Sequence, residues 1–302
     1  MADTIRISSV EGAGNWWRSL TWASEALTNG GLQVEMTRFG IGASEPLLRV
    51  AAGEADLACT LSVAAAQAAR GLGLHKNGEA TSIRGLAHLI RPNQHYFNMI
   101  RADVGIRSLA EIAEKKPKLD MSIGEKEYVS GQIPEVYMRH YGVELFRDIE
   151  AWGGSFQTSH PNTIPLIAQG KSNSLMREDT AAGPAGVAAQ LFPFVLLPLD
   201  EDIADLIARD YCAPKVTIPA GTIHGQKEPC LTVTNPGFEL IVNKDLPDDV
   251  AYRMAKALDQ SSVEAFAAQD VFYSVRHAPK STAPLHHGAA RYYREQGVLK
   301  EG

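Results

Sequence analysis

Apolar and polar positions alternate along TIRISSV, residues 4–10, as they do on a strand with one buried face. EGAGN then breaks the alternation, and WWRSLTWASEAL takes up a spacing of about 3.6 residues, that of a helix with one apolar side. LQVEMTRFG predicts a second strand. EPLLRVAAG predicts a helix that Ser44 caps and Gly53 closes, and ADLACTL reads as a third strand.

A helix near 63–71 and a polar loop lead to two apolar strands, IRGLAHLI and YFNMIRAD, separated by RPNQH. The arrangement then starts again. Ser108 and Glu111 in SLAEIAEK have the S-x-x-E spacing of a capping box, in which each side chain accepts an amide left over at the helix start. KLDMSIG is the next strand, and SGQIPEVYMRHYG a helix ending at Gly142. IEAWG, SNSLMR and PFVLLPL read as short strands, TIPLIAQG and EDIADLIARDY as helices. Such alternation predicts an α/β fold with largely parallel sheets and helices on both faces. At 302 residues the chain suits two such sheets better than one.

The segment IPAGTIHGQ carries Pro219, Gly221 and Gly225, residues suited to unusual turns, just ahead of LTVTNPGFELIV, which reads as one strand. It reads as the return of the chain from a second unit to a first. Residues 1–97 and 231–302 are expected to form lobe I and 98–230 an inserted lobe II. Two hinge crossings would join them, with a ligand cleft between the lobes.

Composition narrows the function. A formal charge of -6, with both signs mixed throughout, offers no basic face for a phosphate backbone, so nucleic acid is not an expected partner. Cys59, Cys212 and Cys230 are too few and too scattered for a disulfide framework or a Cys-x-x-Cys metal site, and read as small buried hydrophobes. No run approaches the roughly 18 apolar residues of a membrane span. MADTIRISSV lacks the basic and apolar regions of a secretory leader. The expectation is a periplasmic protein if a leader has been removed, and a cytoplasmic one otherwise.

Five segments carry a resemblance: LLRVAAGEADLA, IRADVGIRSLAEI, IPAGTIHGQ, FELIVNKDLPDDVAYRMAKAL and PLHHGAARYYREQG. Together, in order and at the expected separations, they resemble the TAXI family, the solute-receptor subunits of one class of TRAP transporters. The resemblance implies the two-lobed type II periplasmic-binding-protein fold. It also implies a receptor that closes around a small molecule, usually a carboxylate, and delivers it to a TRAP membrane permease without chemistry or cofactor.

Ligands of open α/β sheets sit beyond the carboxyl ends of the strands, where loops and helix starts present amides to anions. In the first loop Trp16 and Trp17 stand where the family has a pair of tyrosines, with Gly14 and Asn15 beside them; either Trp also serves as core for the following helix. Ser44 caps its helix or touches ligand. Thr60 and Ser62 follow the third strand as hydroxyl donors. Tyr128 falls at the usual serine of the family and Ser130 at the usual threonine, a departure that reshapes the pocket and weakens the transfer of glutamate as a ligand. Ser155 and Phe156, after Gly153 and Gly154, are read as a loop following a strand, with amides for an anion. Arg177, where the family has small uncharged residues, is placed to grip a carboxylate with parallel hydrogen bonds, or to pair with Glu178 or Asp179. Arg91 is the reserve candidate, and Arg101 serves its strand end.

No G-x-G-x-x-G, Walker loop, H-E-x-x-H or Cys-x-x-Cys is present, and GGSFQ lacks the closing Gly of a nucleophile elbow. No metal is expected; His286 and His287 are adjacent in sequence and read as structural. The rival readings are a cytoplasmic enzyme on the same fold, such as an aromatic carboxylate decarboxylase, and a ligand-sensing partner of another protein.

Overall fold

The computed structural model describes residues 4–9, 15–38, 44–158, 162–261 and 271–300. The chain forms two compact units, Met1–Pro92 with Pro236–Gly302, and Asn93–Asn235. The first contains β1 (Thr4–Ser9), α1 (Asn15–Asn29), β2 (Gln33–Arg38), α2 (Ser44–Ala51), β3 (Leu57–Leu61), α3 (Ser62–Arg70) and β4 (Ile83–Ile90). After the chain returns come β12 (Gly237–Asn243), α10 (Asp248–Gln260) and α11 (His287–Glu295). Its sheet runs β2-β1-β3-β12-β4, with β12 antiparallel to both neighbours. Burial follows the alternation read from the sequence: Ile5 and Ile7 of β1 are buried while Thr4 and Arg6 face solvent. In α10, Val250, Ala251, Met254, Ala255 and Leu258 make the inner face, and Asp248 and Asp249 sit in the first turn, where carboxylates complement the helix dipole.

The second unit holds β5 (His95–Arg101), α4 (Ala110–Lys115), β6 (Asp120–Ile123), α5 (Val129–His140), α6 (Leu145–Ala151) and β7 (Ser155–Gln157). It continues with α7 (Thr163–Ala168), β8 (Ser174–Asp179), α8 (Pro184–Leu191), β9 (Phe194–Leu196), α9 (Glu201–Asp210), β10 (Lys215–Ile218) and β11 (Cys230–Val233). The sheet order β7-β6-β8-β5-β9 repeats that of the first unit, again with one reversed strand, β5, in fourth place. Phe97, Met99 and Leu175 from the sheet meet Ile167 and the alanines of α8 in a buried cluster. Each such large side chain contributes roughly 1.5–3 kcal/mol of apolar burial.

Several features of the sequence reading change. LTVTNPGFELIV is two strands in two units: β11 pairs with β10, while β12 pairs with β3 and β4. Pro236, which has no amide to give a ladder, separates them. The changeovers therefore lie at 92/93 and 235/236, rather than 97/98 and 230/231, because β5 and β11 belong wholly to the second unit. IPAGTIHGQ is consequently not a crossing. It links the antiparallel pair β10 and β11, with Gly221 at φ 77° and Gly225 at φ 79° in the left-handed region that a side chain disfavours.

IEAWG, read as a strand, is the end of helix α6 and the turn that follows it. Leu145 and Ile149, four apart, are both buried, and Asp148 accepts the Glu144 amide at 2.8 Å. That local bond and the helical spacing outweigh the strand preference of Ile and Trp. The capping box forms with a shift: Ser108 Oγ accepts the Glu111 amide at 3.3 Å, while the Glu111 carboxylate accepts the amide of Arg107 at 2.9 Å instead of that of Ser108. Among the described residues no helix is long and apolar enough to cross a membrane.

Candidate functional site

At the carboxyl ends of β1, β2, β3 and β4 the first unit gathers aromatic and guanidinium groups. Trp16, on the first turn of α1, meets Phe238 edge to face with ring centroids 6.3 Å apart. Arg91, directly after β4, lies 5.8 Å from the same Phe238 ring. Phe238 is held there because the preceding Gly237 runs against β4: a Cβ on it would stand 2.1 Å from the Leu89 carbonyl oxygen. Trp17 is covered by the Arg38 guanidinium at 4.0 Å, a cation–π contact at the end of β2. Asn15 opens α1, and Gly14 lies outside the described residues. Ser44 opens α2, and the residues before it also lie outside.

Thr60 and Ser62 do not serve as rim hydroxyls. Both are fully buried. Ser62 Oγ is 3.4 Å from His88 Nδ1, and the same nitrogen is 2.9 Å from Glu239 Oε1. Glu239 also accepts the amide and hydroxyl of Thr282 at 3.0 and 3.1 Å. A serine, a histidine and a glutamate thus meet, but a hydrolytic relay needs the two imidazole nitrogens to face different partners. Here Nδ1 faces both, and the group is a buried polar tie between β4, β12 and α3.

In the second unit Arg177 lies on β8 beside Phe97 and is 6% exposed. Its Nη1 donates to Thr163 Oγ1 at 3.4 Å, and Thr163 is in turn 3.0 Å from Ser122 Oγ. The guanidinium makes no salt bridge among the described residues, and its buried Nε has no partner there. Asp179, on the same face of the strand, is committed elsewhere: it accepts the amides of Thr180 at 2.8 Å and Ala185 at 2.9 Å. Glu178 alternates to the opposite face, where Tyr96 is its ladder partner. A buried guanidinium costs several kcal/mol to desolvate unless an anion faces it.

Tyr128 occupies the position before α5, and Ser130 lies in the first turn. The loop after β6 folds tightly onto that turn. A Cβ on Gly124 would be 2.1 Å from Ser130 Oγ, and one on Gly131 would be 2.2 Å from the Glu125 carbonyl oxygen. Ser155 and Phe156 are not the expected loop. Both lie within β7, and Ser155 sits at the amino end of the parallel strands, where its hydroxyl donates to Asp120 at 2.7 Å. Phe156 packs on Phe146 at 4.9 Å. Arg101 pairs with Asp103 at its strand end.

Sequence reasoning missed Ser122, Thr163 and Phe238. The same strand-end rule that chose Arg177 also covers Ser122, in KLDMSIG, and a hydroxyl at a helix start covers Thr163. Phe238 was hidden inside a run read as one continuous strand.

One group of potential metal donors comes together among the described residues, the exposed His140, Asp200 and Asp202. Asp200 already accepts the Tyr141 hydroxyl at 2.9 Å, and Asp202 faces His140 at 3.7 Å. Asp200 also precedes α9, whose positive end disfavours a cation. Cys59, Cys212 and Cys230 are buried; burial pushes the Cys230 thiol up to about 12, which leaves it unreactive at neutral pH.

Among solved structures, the periplasmic binding protein BugD is similar over 99% of this chain and 99% of its own, with a TM-score of 0.53 at 12% identity. A Xanthomonas citri protein solved bound to a chloride ion is similar over 97% of this chain and 99% of its own, with a TM-score of 0.52 at 13% identity. At these identities the likeness establishes the fold, the mixed α/β fold of periplasmic binding proteins with its two five-stranded sheets. Residues 21–297 match the NMT1-like family, and the chain belongs to that family.

Proposed function

We propose that this member of the NMT1-like family is a periplasmic solute receptor that captures a small organic acid or amino acid and hands it to a TRAP-type membrane permease. The observation that carries the reading is Arg177, buried, without a carboxylate among the described residues, and next to the hydroxyls of Thr163 and Ser122. A solute carboxylate supplies the missing charge and accepts from the guanidinium in parallel. Considered by itself, the first unit carries Trp16 and Arg91, set on Phe238, and Trp17 at its strand ends, an aromatic and cationic surface suited to an organic anion. Tyr128 and Ser130 border the loop after β6.

The TRAP assignment rests on the five sequence segments that resemble the TAXI receptors. The fold of BugD, a periplasmic binding protein, supports the receptor role and the compartment. A receptor needs no base and nucleophile, and the Ser62, His88 and Glu239 geometry does not supply them.

The test is mass spectrometry of small molecules released from the purified, denatured protein, followed by thermal melts of the unliganded chain with L-glutamate, succinate and benzoate as probes. A released organic acid that raises the melting temperature on re-addition supports the reading. No released acid and no stabilisation by any carboxylate contradicts it. For the permease, vesicles carrying a TRAP-type transporter should accumulate the acid when this chain is added and not without it.

A further inference from the structure

We infer that a groove on the Asn93–Asn235 unit docks a lysine- or arginine-bearing segment of a protein partner. The groove holds about 600 Å³ and runs between the loop after β6, the outer side of α5, α6 and the edge strand β7. Its floor is the Phe146 and Phe156 pair, rings 4.9 Å apart, each left half-buried by its own unit. The rings are tilted at 48°, Phe146 from α6 against Phe156 from the edge strand; half-buried aromatics of this kind add little to the core, and their faces suit the stem and head of a long cationic side chain.

The charge around that floor is one-sided. Five carboxylates line it, those of Glu125, Glu127, Glu135, Glu144 and Glu150, against the cations of Lys126 and Arg147. Glu135 and Glu144 share Arg139, at 3.1 and 3.0 Å, and Glu127 stands 3.7 Å from Lys126. Arg147 turns to Asp148 at 2.7 Å. Glu125 and Glu150 form no ion pair among the described residues, which leaves two carboxylates flanking the aromatic pair for an incoming cation.

The occupant is a chain segment and not an enclosed small molecule. Small-molecule sites bury roughly 70–90% of their ligand, whereas the walls here are side-chain tips such as Glu127, 62% exposed, and Arg147, 72% exposed. A flexible basic segment can lie along such a surface and reach both free carboxylates. Charged surfaces of this kind set association rate and partner choice. The inference stands whatever the solute, since Arg177, Thr163 and Ser122 take no part in the groove.

The experiment measures binding of a fluorescein-labelled Lys/Arg decapeptide to the full chain by anisotropy, beside an Asp/Glu decapeptide and spermine. The expected result is saturable binding of the basic peptide alone, weakened about tenfold in E125Q/E150Q and similarly in F146A. The charge-matched double variant E114Q/E228Q, at exposed positions away from the groove, should stay within about twofold of the parent. Circular dichroism checks that each variant folds; the Glu to Gln pair is conservative, with Glu125 half-buried and Glu150 exposed, so the charge arm decides even if F146A is unstable. No saturable binding, or equal weakening in E114Q/E228Q, overturns the inference. Spermine binding that is tighter than the peptide and equally sensitive to E125Q/E150Q would assign the groove to small polycations and overturn it as well.

Discussion

Arg177 Nη1 donates to Thr163 Oγ1 over 3.4 Å, near the outer limit for a hydrogen bond. Among the described residues that is the one bond of a guanidinium only 6% exposed. An arginine kept in the interior on so little is a cost to the unliganded fold and an asset to a fold that waits for an anion.

Replacement of Arg177 by Met is therefore expected to leave the unliganded melting temperature unchanged or higher, since removal of a poorly paired buried charge relieves its desolvation. Stabilisation by a carboxylate should vanish; at a hundredfold excess over Kd the loss is about 2.7 kcal/mol. Thermal melts of both proteins, with and without acid, give both numbers. A fall in unliganded stability with stabilisation intact would make Arg177 structural and move the carboxylate to Arg91.

Ser62, in contrast, faces inward. Ser62→Ala should cost about 1 kcal/mol through the lost contact with His88. The acid-induced shift in melting temperature should not change. A loss of that shift would return Ser62 to the solute site.

Gly131 has no room for a side chain, because a Cβ would stand 2.2 Å from the Glu125 carbonyl oxygen. Gly131→Ala should force the loop after β6 away from α5 and lower stability by about 1–3 kcal/mol, read from the urea midpoint. An unchanged midpoint would mean that the loop packs less closely than described.

His75, His95 and His286 are buried, and burial holds each imidazole below its ordinary value of 6.5. The unfolded chain, with histidines at that ordinary value, takes up protons first as pH falls. The contribution to stability is complete above the ordinary value and is lost as pH drops through the lowered folded values. Urea midpoints at about pH 7.5 and about pH 5 should show the loss, and H75Q/H286Q should flatten it. The same slope in the double variant would place the proton uptake in other groups.

Much of the fold was legible because its strands and helices repeat a simple pattern. TIRISSV and WWRSLTWASEAL became β1 and α1 since burial follows their periodicity directly. What could not be read depended on partners remote in sequence. LTVTNPGFELIV is locally one apolar run, and only its pairing with β10 on one side and with β3 and β4 on the other divides it. Residues 149–153 favour a strand by composition, but a helix ending at Ala151 and a turn win through Asp148 and the burial of Leu145 and Ile149. At the candidate site the strand-end rule pointed to Arg177 and Arg91, which lie on β8 and directly after β4. It erred on Ser155, because the strand it was thought to follow is a helix and Ser155 opens the next one. It erred on Ser62 because the hydroxyl's acceptor, His88, comes 26 residues later.

The central claim is that the chain binds an organic acid and returns it unchanged. The most direct measurement is to incubate the acid released from the purified protein with a small amount of the chain and to follow the acid by NMR for hours, with Trp fluorescence recorded in parallel on the same sample. The account predicts a saturable fluorescence change from Trp16 and Trp17 and an acid recovered intact. Steady formation of a product, such as the decarboxylated compound, would contradict it and make the chain an enzyme.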